Sequence, residues 1–297
     1  MRLARDVATL DPVLAGDHVC WLVEPGEDLT PAARAFAADG VLFGDKVMVV
    51  GSPDSRWSVD GVARGLLVDP LAERSRGTAW DGPAVLGAVR READAACREG
   101  FRTLRVLAQM DRLWPAGASP EQVARHELGL DALVADSGAI VVCAYPRDGF
   151  SPAALAQATG VHPHHLGRAS RADGVDAVDG SAAGAVPVVP PPPGFRLFNA
   201  GPDRWSVSGV VDSEGAGAFH TAVSELLSSA PLVDGRPLRL SCEHLELMDT
   251  AGMRTLAAAA RLLPDRRILV EQANDTVRRC WELLGFHLSQ SAVELVR

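Results

Sequence analysis

The sequence predicts an α/β protein in two parts, an N-terminal parallel-sheet domain and a smaller C-terminal β/α domain. Three observations carry this. Short apolar strand patterns alternate with helical ones along most of the 297 residues. One of them, Ala139-Ile-Val-Val-Cys-Ala-Tyr145, is apolar without a break, as a parallel strand covered on both faces is. The alternation then stops at Val186-Pro-Val-Val-Pro-Pro-Pro-Pro-Gly194, where successive prolines favour a polyproline II spacer over a core element. These place an N-terminal domain at 1–168, a Pro-rich linker at 169–193 and a C-terminal domain at 194–297.

In chain order, Asp17–Val23 alternates as a strand does, with His18, Cys20 and Leu22 on one face. Thr30-Pro31 reads as an N-cap followed by proline at the first helical position, opening a helix that runs to about Gly40. Lys46–Val50 is a second strand, and a third is expected near Thr78–Trp80. Pro83–Glu99 has helical spacing and is stopped by Gly100; Thr103–Ala108 is the next strand. Ser119-Pro120-Glu121-Gln122 is a capping box with proline behind the cap, so a helix follows through Val123, Leu130 and Val134 to Gly138. After the strand at 139–145, Ser151-Pro152 starts a shorter helix that leads into Val161-His-Pro-His-His165. Beyond the linker we expect a strand at Arg204–Val211, a helix from Glu214 to Ser229 and a strand carrying Leu238 and Leu240. A short acidic loop, a helix opened by Asp249-Thr250, a strand at Arg267–Val270 and a helix from Asn274 closed by Gly285 complete the chain.

Composition narrows the function classes. A net charge of −9 argues against nucleic acid, whose binding draws most of its affinity from a basic surface. The five cysteines are scattered and never form a Cys-x-x-Cys pair, which suits a reducing compartment. With no apolar leader and no run of membrane-spanning length, a cytoplasmic location is expected. Gly51-Ser-Pro-Asp-Ser-Arg-Trp57 follows a strand but lacks the lysine that clamps a phosphate, so ATP hydrolysis is not expected.

Thr250 falls in the first turn of its predicted helix, where backbone N–H groups lack intrahelical partners and the dipole is positive. Such a place accepts a phosphate, and it equally suits an ordinary capping threonine. Asp249-Thr250-Ala251-Gly252, with a strand before it and an Ala/Leu-rich helix after it, resembles the Asp-Ser/Thr-x-Gly signature of STAS domains, the domains of anti-sigma factor antagonists. The helix that ends in Leu284-Gly285 strengthens the likeness, which covers about 194–297. The resemblance implies a phosphorylation site at Thr250, with Asp249 shaping the switch loop and Gly252 permitting close approach. It also implies a separate partner, an anti-sigma factor or serine/threonine kinase of histidine-kinase-like fold. Threonine here replaces the commoner serine and keeps the hydroxyl.

In the N-terminal half His18 and Cys20 share a strand face, Cys143 lies on another strand, and His162 follows a later helix. A parallel sheet can gather such residues around one pocket at the strand ends. Three readings stand: plain core hydrogen bonding, an anchor for a small ligand, or ligation of zinc or haem iron. From its neighbours alone Glu127, beside His126 in a helix, reads as a solvated or capping carboxylate rather than an acid–base group. Asp17-His18-Val19-Cys20-Trp21, Gly40–Val49, Met110, Glu127, Cys143-Ala-Tyr145 and Val161-His162-Pro163 are together similar in order and spacing to the MEDS sensory domain of methanogen and methylotroph regulators. That likeness covers about 10–168. It implies a RecA-like fold without nucleotide-binding residues and a ligand site drawn from His18, Cys20, Trp21, Glu127, Cys143, Tyr145 and His162.

The expected protein is thus a non-enzymatic signalling regulator without a cofactor. Its N-terminal domain senses a small molecule, and its STAS-like domain is switched at Thr250. Homo-oligomers are compatible with this reading, whereas nucleic acid and membrane partners are not expected. The alternative is a metal- or haem-dependent redox sensor or enzyme using His18, Cys20 and Cys143.

Overall fold

The computed structural model describes residues 5–7, 13–50, 67–68, 82–114, 117–166, 194–201, 204–229, 237–261, 267–287 and 292–296. The expected strand near Thr78–Trp80, the loop Gly51–Trp57 and the linker at 169–193 lie outside them.

The N-terminal part is a seven-stranded sheet in which every pairing is parallel. Its elements are β1 (Arg5–Val7), β2 (His18–Val23), α1 (Thr30–Phe43), β3 (Lys46–Val50), β4 (Leu67–Val68), α2 (Gly82–Arg98), β5 (Leu104–Gln109), α3 (Met110–Leu113), α4 (Pro120–Ser137), β6 (Ile140–Pro146), α5 (Pro152–Gly160) and β7 (His164–Leu166). The strand order is β1-β7-β2-β6-β5-β3-β4. Side chains alternate across it, so one face packs Val19, Trp21, Val23, Val47 and Val49 against Ala33, Phe36 and Ala37 of α1. The other face packs Cys20, Met48, Val106 and Cys143 against Ala88, Val123, Leu133 and Leu155 of α2, α4 and α5. Both faces are covered, which is why β6 needs no polar alternation.

Local signals set most boundaries. The capping box at Ser119 forms in full: its hydroxyl accepts from the Gln122 N–H and its own N–H donates to Gln122 Oε1 at 2.9 Å. Ser151 caps α5 with its hydroxyl alone, which accepts from the Ala154 N–H at 3.2 Å. α1 departs from expectation at both ends. Thr30 is already helical and Leu29 occupies the cap position, while the helix passes through Gly40 and stops at Gly44, whose φ is 77°. Gly40 is there for contact. A Cβ on it would lie 2.4 Å from Val47 Cγ2 and 3.0 Å from Arg105 Cδ, so only glycine lets α1 lie on the sheet there.

The C-terminal part comprises β8 (Phe195–Gly201), β9 (Arg204–Val211), α6 (Ala216–Ser229), β10 (Leu238–Met248), α7 (Thr250–Arg261), β11 (Ile268–Glu271), α8 (Asp275–Leu283) and β12 (Val293–Leu295). Its sheet runs β12-β11-β10-β9-β8, parallel except for the antiparallel β8–β9 pair. Sequence reading missed β8. It also placed a short acidic loop between Leu240 and Asp249, whereas β10 continues to Met248. Buried Leu245 and Met248 hold that stretch in the sheet, with register shifts on either side of it.

The two parts share a core through α4. Leu128 of α4 and Val161 after α5 belong to the same apolar cluster as Phe195, Leu197, Phe219 and Val223. Arg125 forks onto Glu225 at 2.8 and 3.2 Å, Gln157 donates to the Ala218 carbonyl at 3.0 Å, and Arg196 donates to the Pro163 carbonyl at 3.3 Å. α4 therefore buries Val123, Leu133 and Val134 in the first core and Leu128 in the second, while Arg125 and Asp136 stay exposed.

Candidate functional site

The N-terminal domain buries a polar cluster between β2, β6, α4 and the α5–β7 turn. Glu127 and Asp131 stand four residues apart on α4, one helical turn, so both carboxylates face the same way. His18, the first residue of β2, lies against them: Nδ1 is 3.3 Å from Asp131 Oδ1 and Nε2 is 3.1 Å from Glu127 Oε2. Cys143 of β6 brings its Sγ to 3.5 Å from that same Glu127 oxygen and 3.6 Å from His18 Nε2. His162 stacks on His18 with ring centroids 4.0 Å apart, and its Nε2 is 3.3 Å from Glu127 Oε2. The Tyr145 hydroxyl donates to Glu127 Oε1. His18, Glu127, Asp131, Cys143, Tyr145 and His162 are all 0% exposed.

Electrostatics follow from this enclosure. Burial alone would lower the His18 pKa, but hydrogen bonds and charge from Asp131 and Glu127 outweigh it and raise the pKa. Burial alone would raise the Glu127 pKa. The imidazoles around it, His162 first, and the His18 hydrogen bond overcome it, and the carboxyl is held below the ordinary range. His162 is pushed down to about 3, first by burial and then by the neighbouring His18 charge, so it is neutral at physiological pH. Burial, then the Glu127 charge, pushes the Cys143 thiol and the Tyr145 phenol well above their usual values, and both hold their protons. Within the cluster the flanking Asp131 and Glu127 favour the charged form of His18, whereas burial favours the neutral forms of His162 and of the Cys143 thiol.

The solvated role expected for Glu127 is overturned: it is the centre of the cluster. Its immediate neighbours misled because Glu127 lies on the face of α4 that packs on its own sheet, against His18, Cys143, Tyr145 and His162, which come from distant stretches of chain. His18, Glu127, Cys143, Tyr145 and His162 come together. Cys20 is buried beside them, registered against Cys143 across the β2–β6 pair, but its sulfur is not among the converging atoms. Trp21 points to the opposite face of the sheet, into the α1 core with Phe36, because it follows Cys20 by one strand position. The cluster lies under α4 on the sheet face, away from the carboxyl strand ends. Sequence reasoning missed Asp131. Two carboxylates at i and i+4 in a helix otherwise rich in Leu, Val and Ala are the signal that reveals it.

In the C-terminal domain Asp249 caps α7. Its Oδ1 accepts from the N–H groups of Ala251 and Gly252 at 2.8 and 2.9 Å, and its own N–H donates to the Val211 carbonyl at 3.0 Å. Thr250 is therefore the first helical residue, relieved of the capping role, and it is exposed. Gly252 faces β9 so closely that a Cβ would sit 2.7 Å from Val211 Cγ1 and 3.1 Å from the Val211 carbonyl oxygen. The Asp-Thr-x-Gly order thus has a physical basis: a cap, an outward hydroxyl, and a bare Cα that seats the helix on the sheet.

Fold and sites together describe an α/β domain with a sealed polar centre joined to a small β/α domain that displays a helix-tip hydroxyl. Residues 17–163 match the family model of the MEDS domain, the methanogen/methylotroph DcmR sensory domain, and residues 199–295 match that of the Mlab STAS domain. This chain is a fusion of a MEDS domain and a STAS domain. No curated protein matches it. The pairing of a sensory domain with a STAS domain is that of a signalling regulator, and STAS domains generally interact with kinases or anti-sigma factors. Among the described residues no helix is long and apolar enough to cross a membrane.

Proposed function

We propose that this protein is a cytoplasmic, non-catalytic signalling switch. Its MEDS domain senses a small molecule, and its STAS domain acts as an anti-sigma factor antagonist controlled by phosphorylation of Thr250. The observation that carries the reading is the exposed Thr250 at the first position of α7, with Asp249 holding the turn beneath it. Phosphorylation adds about −1.5 to −2 charge. The helix tip tolerates that charge because its N–H groups and dipole favour an anion. A partner seated on the same tip meets a new dianion and loses close contact, so the switch is local and electrostatic.

Sensing and switching have a physical route between them. α4 carries Glu127 in the cluster, Leu128 in the shared core and Arg125 on Glu225, and Asp131 accepts from the Asn199 N–H of β8 at 2.5 Å. A ligand that shifts the cluster therefore shifts the helix on which the STAS domain rests. The test is incubation of the full chain with ATP and an anti-sigma kinase of histidine-kinase-like fold, followed by peptide mass spectrometry. We expect stoichiometric phosphate on Thr250 and none on the Thr250→Ala protein. Phosphate that persists undiminished on the Ala variant removes the assignment.

A further inference from the structure

We propose that His18, Glu127, Cys143 and His162 form a closed four-ligand site for one divalent cation of the zinc class. Each offers one ligand atom, and these atoms all lie within 4.8 Å of one another. Zinc bonds of about 2.0–2.3 Å set tetrahedral ligand–ligand edges of about 3.3–3.8 Å, so the atoms need to move by only an ångström or less.

The strongest sign is His162. Its Nδ1 lies 2.6 Å from the Ala158 carbonyl oxygen. A carbonyl only accepts, so Nδ1 carries a proton, and in the neutral ring Nε2 presents a bare lone pair to the centre. That Nε2 is wholly buried and has no hydrogen-bond partner, yet it faces the Glu127 Oε2 at 3.3 Å. Two lone pairs aimed at one another in a dry interior repel, and a cation between them turns the repulsion into two bonds.

The outer contacts agree. His18 keeps Nδ1 on Asp131, His162 keeps Nδ1 on Ala158, and Glu127 keeps Oε1 under the Tyr145 hydroxyl, so in each case the other atom is left to face the centre. Such outer partners fix the tautomer and orientation of metal ligands. Two imidazole nitrogens, one thiolate and one carboxylate are a borderline-soft set that suits zinc over magnesium or calcium, and two anionic ligands neutralise a divalent charge. Ligand atoms this close enclose a bare ion and leave no slot for a porphyrin. On binding, Cys143 releases its thiol proton and His18 its Nε2 proton to solvent, and both coordinate through the freed lone pairs. The ion would pin β2, β6, α4 and the α5–β7 turn together one hydrogen bond away from β8.

This deepens the sensory reading of the MEDS domain by naming what its centre holds, and it fails separately, since Thr250 phosphorylation needs no metal. The test uses the full chain, stripped with chelator and titrated with Co(II), then competed with Zn(II). Expected is a 1:1 complex with intense tetrahedral d–d bands and a thiolate-to-cobalt charge-transfer band, all displaced by zinc. Cys143→Ser abolishes the charge-transfer band, and His162→Gln weakens cobalt binding at least about tenfold. Should either variant fail to fold, X-ray absorption on the wild-type zinc protein decides, with one sulfur and three nitrogen or oxygen neighbours expected. A wild-type protein that takes up no stoichiometric metal, shows no sulfur ligand, or loses its band with Cys20→Ser and not with Cys143→Ser overturns the proposal.

Discussion

Replacing Asp131 by alanine is expected to lower stability by about 3–5 kcal/mol and to split a single unfolding transition into two. This carboxylate is fully buried and serves both domains at once, taking His18 Nδ1 on one oxygen and the Asn199 N–H on the other. Its loss leaves the His18 imidazolium with one carboxylate where it had two, and it removes an acceptor from the start of the STAS sheet. The apolar contacts of Leu128 and the exposed Arg125–Glu225 fork survive, but the fork joins a guanidinium that is 61% exposed and contributes little. Domain cooperativity therefore weakens more than either domain does alone. Calorimetry resolves the two transitions, and tryptophan fluorescence follows both cores, with Trp21 and Trp114 in the MEDS core and Trp205 and Trp281 in the STAS core. Asp131→Asn, which keeps an acceptor oxygen and the volume, is expected to cost less. An Asp131→Ala protein that melts in one step with unchanged stability contradicts the coupling.

The second large effect is at Glu127. Alanine here removes one carboxylate that faces three groups at 3.1–3.5 Å and also accepts the Tyr145 hydroxyl. Tyr145 and Cys143 lose this acceptor, and the His18 charge keeps only Asp131. The expected cost is again about 3–5 kcal/mol. Glu127→Gln retains the volume and an oxygen for Tyr145, so its cost is expected nearer about 1–3 kcal/mol. Urea denaturation at neutral pH measures both. A Glu127→Ala protein as stable as wild type would mean that the cluster contributes nothing to the fold.

What was legible in the sequence is what depends on near neighbours. The Ser119 capping box, the Ser151 cap, the stops at Gly100 and Gly138 and the unbroken apolar β6 all act within a few residues and read correctly, whereas both ends of α1 did not. What failed depends on distant chain. Gly40 looked like a helix stop and is instead a contact glycine, because Val47 and Arg105 come from strands that no local pattern places beside it. β8 was missed because its pattern follows directly on the proline run and its register is set by β9. Glu127 looked solvated because the groups that enclose it, His18, Cys143, Tyr145 and His162, come from elements far along the chain. The candidate residues were nevertheless found in good part. His18, Cys143 and His162 carry side-chain types that stand out in an apolar setting, and the two resemblances ordered them. Asp131 carried no such flag except its spacing from Glu127.

The phosphorylation switch is tested most directly by calorimetric titration of the modifying kinase with the full chain, once unmodified and once carrying phosphate on Thr250. The account predicts a complex with the unmodified protein that weakens at least about tenfold, roughly 1.4 kcal/mol, on phosphorylation. Equal affinities for the two forms would contradict it.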